Sequence, residues 1–326
     1  MAAPGEFELI RRYFAAARCA ARRDGVALGI GDDCALLQLP ASEQLAISTD
    51  SLVAGVHFPH DPDPALLAQR ALGTAASDLA AMGAAPLAFT LALTLPDAEP
   101  DWLAAFAAGL EQMAAACQLS LIGGDTTRGP LNLNITVFGR VPAGQALTRS
   151  GAQVGDLLCI GGPTGEAAAA LPLVLGERTA AGAHDARLLE RYWHPQPQLA
   201  LGLALRGRAS AALDVSDGLL ADCGHIAASS GVRLLIEAAR VPLSAALRAA
   251  AGEQALSCAL SGGDDYVLAF TLPAQALAAL QAAAPYFHVI GRVTAGQGVV
   301  LLDAEGHEIT PARAGYQHFG GPDGQA

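Results

Sequence analysis

Apolar positions recur along this chain at two spacings. Short runs rich in leucine, valine and isoleucine at 45–48, 87–95, 133–138, 157–160, 211–215, 232–236, 267–271 and 299–302 predict strands. Between them, alanine-rich stretches whose apolar residues return every three or four positions predict helices at 7–18, 64–82, 102–117, 199–208, 219–229 and 274–284. Asp63 before Pro64 marks the start of the second helix, since a short carboxylate accepts the first unpaired amides and proline lacks an N–H that would be orphaned there. Strands alternating with helices predict a mixed α/β (α+β) architecture. The stretch 142–156 holds Gly144, Gly151 and Gly155 between two strands and reads as a linker, so the domain boundary is placed near Ser150, giving 1–150 and 151–326. Two uncharged stretches, 79–96 and 266–290, are long enough to test as membrane spans. Pro86 interrupts the first, Pro273 and Pro285 the second, and each reads as strand joined to helix. The end, 320–326, is expected to fray.

Composition narrows the chemistry. A length of 326 residues suggests two domains. All 19 positive side chains are arginine, and the absence of lysine excludes phosphate loops of the GxxxxGK[ST] type, the strand lysine of protein kinases, and Schiff-base chemistry. With 31 acidic residues the net charge is -12, which repels nucleic acid and anionic membrane surfaces, so neither is expected as a partner. The hydrophobic fraction of 52% leans on alanine, with 5% aromatics, so the core is built from small side chains. Six cysteines lie scattered without a CxxC pair and read as small apolar residues of a reducing cytoplasm; the first residues, with Glu6 and Glu8, show no apolar leader.

Aspartate outnumbers glutamate 19 to 12, and the surplus gathers where apolar runs end. The junctions are Gly31-Asp32-Asp33, Ser48-Thr49-Asp50, Gly123-Gly124-Asp125-Thr126, Asp214-Val215-Ser216-Asp217-Gly218 and Ser261-Gly262-Gly263-Asp264-Asp265. Glycine lets the backbone approach and turn, and aspartate offers hard oxygen on a short stem, a pairing that suits Mg²⁺ shared with phosphate and water. Each junction taken alone is equally served by turn chemistry or an N-cap: Asp217 before a helix and Asp264 in a turn need no ligand. Asp78 resists that reading, because helical spacing puts it on one stripe with Leu67, Ala71, Thr74 and Met82, and a carboxylate on an apolar face is costly unless paired or bound to metal. If the adjacent pairs Asp32-Asp33 and Asp264-Asp265 converged, repulsion would reach on the order of 4 kcal/mol per pair at 4 Å and an effective dielectric of 20, and cations would be needed to offset it. Arginines near the junctions are few, Arg128 and Arg149, so phosphorylated reactants would be neutralised by metal ions. No Ser/His/Asp or Cys/His constellation is visible, consistent with direct in-line transfer without a dedicated general base.

Eight ordered motifs then resemble thiamine-monophosphate kinases: 29–35 around Asp33, Ile47-Ser48-Thr49-Asp50, His57-Phe58, Ser77-Asp78-Leu79-Ala80-Ala81-Met82-Gly83-Ala84, 122–130 around Gly124-Asp125, Ala146-Leu147-Thr148-Arg149-Ser150-Gly151-Ala152, 214–219, and Ser261-Gly262-Gly263-Asp264-Asp265-Tyr266. The resemblance implies the two-domain fold of the aminoimidazole ribonucleotide synthetase superfamily, a homodimer formed through a mixed β-sheet in the N-terminal domain, and an α/β C-terminal domain completing the nucleotide and substrate site. It implies phosphorylation of thiamine monophosphate to thiamine diphosphate, with ATP as co-substrate and several Mg²⁺ ions. Matching positions give Asp33, Ser48, Thr49, Asp50, Asp78, Asp125, Asp214 and Asp217 as metal ligands, and Gly124, Asp125, Arg149 and Ser216 as nucleotide contacts. They give His57, Asp264 and Tyr316, the last within Gly315-Tyr316-Gln317-His318-Phe319, as substrate contacts. Two positions depart from the family pattern: Asp264 stands where glutamate is usual, and Ala75 where asparagine is usual. A nucleotide-binding module without catalysis and a two-metal phosphatase are the competing readings. A reactive N-terminal cysteine or a C-terminal cysteine, marks of other superfamily branches, is absent from this sequence. Gly161-Gly162-Pro163-Thr164-Gly165 before a helical run fits either an anion site at a helix N-terminus or a plain turn.

Overall fold

The computed structural model describes residues 6–21, 23–311, 313, 315 and 316. The expected fraying tail and the Gln317-His318-Phe319 part of the last motif lie outside the described residues. The chain divides into two compact units, Met1–Leu79 with Ala84–Gly144, and Ala80–Gly83 with Gln145–Ala326.

In the first unit, α1 (Glu6–Leu9) passes into a π-helical stretch, Ile10–Ala15, and a 3-10 turn, Arg18–Ala20, in place of the single helix expected at 7–18. Strands β1 (Val26–Leu28) and β2 (Leu36–Leu37) pair antiparallel, so the aspartates 32 and 33 sit in the loop of a small hairpin. Then follow β3 (Glu43–Val53), α2 (Pro64–Ala81), β4 (Ala85–Leu95), α3 (Pro100–Cys117), β5 (Ser120–Arg128) and β6 (Asn132–Pro142), with the strands ordered β3-β6-β4-β5. Asp63 accepts the amides of Ala65 and Leu66 at 2.9 and 3.0 Å, the expected cap. Helix α3 carries the chain from β4 to the parallel β5, the crossover such pairing requires. One face of the sheet, with Leu91, Leu93, Leu133 and Ile135, is buried with Leu67, Leu72, Leu103, Phe106 and Leu110 of α2 and α3. Sequence pattern missed β5. Its second half is the polar segment Gly123-Gly124-Asp125-Thr126, kept extended by register with Thr90, Leu91, Ala92 and Leu93. Gly124 has φ +148, and a Cβ there would lie 1.9 Å from the Leu91 carbonyl oxygen, so close pairing demands glycine.

The second unit contains β7 (Leu157–Ile160), α4 (Glu166–Val174), α5 (Gly182–Trp193), α6 (Leu199–Leu205), β8 (Ala211–Asp214), α7 (Leu219–Ser230), β9 (Arg233–Glu237), α8 (Ala245–Ala251), α9 (Ala255–Ser261), β10 (Leu268–Leu272), α10 (Leu277–Ala283), β11 (His288–Thr294), β12 (Gly298–Leu302) and β13 (Glu308–Ile309). Its seven strands run β13-β12-β9-β11-β7-β10-β8, with β9 and β12 parallel and the other pairs antiparallel. Alternate residues of one strand enter different cores: Ala269 joins Leu213, Ile226 and Leu234, whereas Leu268, Phe270 and Leu272 join Leu201, Leu205 and Leu280. Strands β7, β8 and β10 are buried on both faces and read as continuous apolar runs, which is how the sequence displays them. All six cysteines are free thiols. Among the described residues no helix is long and apolar enough to cross a membrane.

Candidate functional site

Two groups of the expected residues come together, one in each unit. In the first unit, period-two alternation on β3 turns Ser48 and Asp50 to the face carrying Leu133 and Ile135, and Thr49 to the other face. There the Ser48 hydroxyl donates to Asp78 Oδ2 on α2. Burial, and then the charge of Asp78, push the Asp50 carboxyl from 3.8 up to about 6. Two carboxylates and a hydroxyl thus share a partly buried spot in which the second negative charge is penalised. Thr49 instead shares a hydrogen bond of 2.8 Å with Thr136 Oγ1, so its hydroxyl does not face the pair. Asp33, in the hairpin loop, and Asp125, on β5, are exposed. Among the described residues no three acidic, histidine or cysteine side chains gather closely enough to enclose an ion by themselves. A hard cation at Asp50 and Asp78 would therefore complete its shell with water or phosphate oxygen, the arrangement Mg²⁺ favours, and the donor set fits it. His57, in the turn after β3, accepts the Val53 amide on Nδ1 at 3.0 Å, which places the neutral ring's proton on Nε2.

In the second unit three segments converge. Strand β8 ends at Asp214, 8% exposed, and the chain turns through Val215, Ser216 and Asp217 into α7. The loop 261–266 pairs with that turn: the Asp264 amide donates to Ser216 O and the Tyr266 amide to Val215 O, both at 2.8 Å. The segment near the chain end joins them, with the Tyr316 amide on Asp217 O at 2.9 Å and the Ser261 hydroxyl on Arg313 O at 2.6 Å. Asp214, Ser216, Asp217, Asp264 and Tyr316, scattered over a hundred positions, are thereby neighbours. Arg149 is exposed in the linker loop, where its carbonyl accepts from Ser230 Oγ at 3.2 Å.

Sequence reasoning missed the groups that hold this turn. Asp222, in the first turn of α7 and 4% exposed, accepts the amides of Ser216, Asp217 and Gly218 on one oxygen at 3.0, 3.0 and 3.1 Å. It performs the capping role considered for Asp217; an acidic residue shortly after Ser-Asp-Gly was the available signal. Burial outweighs those three bonds and raises its carboxyl to about 6. Asp265 is turned inward, both its oxygens accepting the Gly165 amide at 2.8 and 2.9 Å. The acceptor at the start of α4 is thus the protein's own carboxyl group, so the Gly165 amide is already occupied. Complete burial drives Asp265 well above the usual carboxylate range, against the Gly165 bond and Arg191. A cavity of about 320 Å³, lined in part by Gly162, Glu166, Arg187, Arg191, Gln198 and Val267, contains none of the expected residues. Its two guanidiniums are drawn to buried Glu166 at 3.5 and 3.2 Å.

Comparison with known proteins agrees with this layout. Residues 31–141 match the AIR synthase related protein, N-terminal domain, and residues 153–303 the corresponding C-terminal domain. The thiamine-monophosphate kinase of Escherichia coli K12 is 48% identical over 324 residues, covering 98% of this chain and 99% of that one. The crystal structure of thiamine-monophosphate kinase from Stenotrophomonas maltophilia is 46% identical, with a TM-score of 0.83 over 90% of this chain and 95% of that chain. A structure of AaThiL complexed with AMPPCP and TMP is 29% identical, with a TM-score of 0.78 over 86% and 89%. Matched from end to end in sequence and in fold, this chain belongs to the thiamine-monophosphate kinases of the AIR synthase-related family.

Proposed function

We propose that this chain transfers the γ-phosphoryl of ATP to thiamine monophosphate, giving thiamine diphosphate and ADP. The observation that carries the reading is the Asp50 and Asp78 pair with Ser48: two carboxylates held together where the second charge is unfavourable, in a family of phosphotransferases. The portion 1–150 binds Mg-ATP and forms the dimer, and 151–326 completes the nucleotide and substrate site. Ser48, Asp50 and Asp78 form the core of the metal set in the first unit, with Asp33 and Asp125 as its further carboxylates and Thr49, whose hydroxyl is turned to Thr136, joining only through its backbone carbonyl; Asp214 and Asp217 are the metal ligands of the second unit. Mg²⁺ held there supplies charge neutralisation on the phosphates. Gly124, Asp125, Arg149 and Ser216 contact the nucleotide, and Asp264, Tyr316 and the Nε2 proton of His57 contact the vitamin phosphate. An acceptor phosphate oxygen is already ionised, so the chain needs to orient the reactants and exclude water rather than remove a proton.

Dimer formation is supported by the outer face of the first unit's sheet, where Ile47, 58% exposed, lies beside Phe138 and close to Leu45. Six free thiols fit a reducing cytoplasm. The test is release of ADP from Mg-ATP with and without thiamine monophosphate. A kinase needs both substrates and yields thiamine diphosphate; a non-catalytic module yields no ADP; a phosphatase yields inorganic phosphate from either substrate alone. Either of the last two outcomes refutes the proposal.

A further inference from the structure

Three non-glycine residues have left-handed backbones among the described residues, and two of them lie in one loop. Gln118, at φ 58, closes helix α3 as a left-handed C-cap and is accounted for. Asp264, at φ 64, and Tyr266, at φ 51, are not. A bulky aromatic residue at positive φ is a genuine outlier, and each such residue costs about 1–3 kcal/mol that surrounding contacts must offset. The contacts that hold them are two backbone bonds, Asp264 N–H on Ser216 O and Tyr266 N–H on Val215 O, and between them the buried, inward Asp265 carboxyl on Gly165 N–H. The loop is therefore fixed from three sides in a conformation its residues do not prefer.

That conformation brings two side chains together. The Tyr266 phenol donates to Asp264 Oδ1 at 2.9 Å, with both residues part-buried. A hydrogen bond from a neighbouring phenol fixes the direction in which a carboxylate presents its oxygens. The short aspartate stem keeps the Asp264 oxygens close to the backbone, so their direction depends on the neighbour that turns them. We propose that Tyr266 is a positioning residue: its hydroxyl sets the direction of the Asp264 carboxylate toward the cationic thiazolium of thiamine monophosphate and thereby sets affinity for that substrate. The inference rests on the reading of Asp264 as a substrate contact, and its test is arranged so that the two fail separately.

The experiment compares wild type, Tyr266→Phe, Asp264→Asn and the double variant in steady-state kinetics. KM is measured for each substrate, and thermal denaturation is followed alongside. Tyr266→Phe keeps the ring and removes the donor. It is expected to raise KM for thiamine monophosphate by about tenfold, the size of one hydrogen bond to a charged group. KM for ATP, kcat and the melting temperature should stay close to wild type. The double variant should bind the vitamin phosphate no worse than Asp264→Asn, since the hydroxyl acts through the carboxylate. An unchanged KM in Tyr266→Phe, with a raised one in Asp264→Asn, overturns the role of Tyr266 and leaves the substrate contact standing. An unchanged KM in Asp264→Asn removes the contact and the inference with it. A clearly lowered melting temperature, or equal losses toward both substrates in Tyr266→Phe, would mean the tyrosine is only structural.

Discussion

Asp50→Asn separates folding from function at the carboxylate pair. Burial first, and Asp78 second, raise the Asp50 carboxyl from 3.8 to about 6. A shift of about two units at about 1.36 kcal/mol each is about 3 kcal/mol, and solvent at this half-buried position trims it to about 2. The folded protein holds this proton more tightly than the unfolded chain. Its favourable contribution is therefore complete below about pH 4 and lost as pH rises through about 6. At pH 8 the metal-free protein carries the full penalty, and asparagine, which has no charge to desolvate, removes it. In EDTA at pH 8 Asp50→Asn should then be more stable than wild type by about 2 kcal/mol, and near pH 4 the two should coincide.

Magnesium reverses the order. A divalent ion bound to the pair favours the ionised carboxylates and stabilises only the state that binds it. Urea denaturation in EDTA and in millimolar Mg²⁺, run with a coupled ADP assay, should show wild type gaining stability from the ion, the variant gaining little, and turnover in the variant lost. The reasoning fails if Asp50→Asn is the weaker fold in EDTA at pH 8, or if it keeps the wild-type response to magnesium.

Other expectations follow from single contacts. Asp222→Ala frees the amides of Ser216, Asp217 and Gly218 and should lower stability by about 2–4 kcal/mol while weakening Mg-ATP binding; an unchanged urea midpoint would show that water replaces the carboxylate. Ile47→Glu should shift the protein from dimer to monomer in analytical ultracentrifugation, and a dimer that persists would move the interface elsewhere. Burial pushes the Cys19 thiol up to about 11 and those of Cys117 and Cys159 to about 12, whereas Cys34 is exposed, so a disulfide reagent should find Cys34 first in the native protein. Rapid labelling of Cys117 or Cys159 without denaturant would contradict their burial.

The fold was legible where packing imposes a pattern. Strands β7, β8 and β10 are apolar because they are buried, β6 and the second half of β4 alternate because one face is, and the sequence displays all five directly. The polar half of β5 is extended only because β4 pairs with it, so nothing local announces it. Strand β11 carries an irregularity between Val289 and Gly291 that breaks its alternation. Helix α4 holds Pro172 inside it and α8 and α9 are seven residues each, too short to show a period. At the site, period two on β3 already divides Thr49 from Ser48 and Asp50, a separation that the motif match alone conceals. Asp222 is invisible for a different reason: its partners are backbone amides, which every sequence contains.

The same limit decides which carboxylates repel one another. Adjacent aspartates invite the expectation of converging charge, yet neither pair needs a cation to relieve it. Asp33 offers its own amide to the Asp32 carboxylate at 2.9 Å, and both remain in solvent. Asp265 turns inward to Gly165 while Asp264 meets Tyr266, and repulsion between them ranks behind burial, the Gly165 bond and Arg191 in setting the charge of Asp265. The pair whose mutual repulsion is felt directly after burial is Asp50 and Asp78, contributed by a strand and a helix and distant in the chain. The aspartate surplus therefore has two physical origins. Some aspartates, such as Asp222 and Asp265, spend their oxygens on amides of their own fold, whereas Asp50 is set beside a second carboxylate. Sequence shows the surplus; only the placement of donors inside the fold divides it.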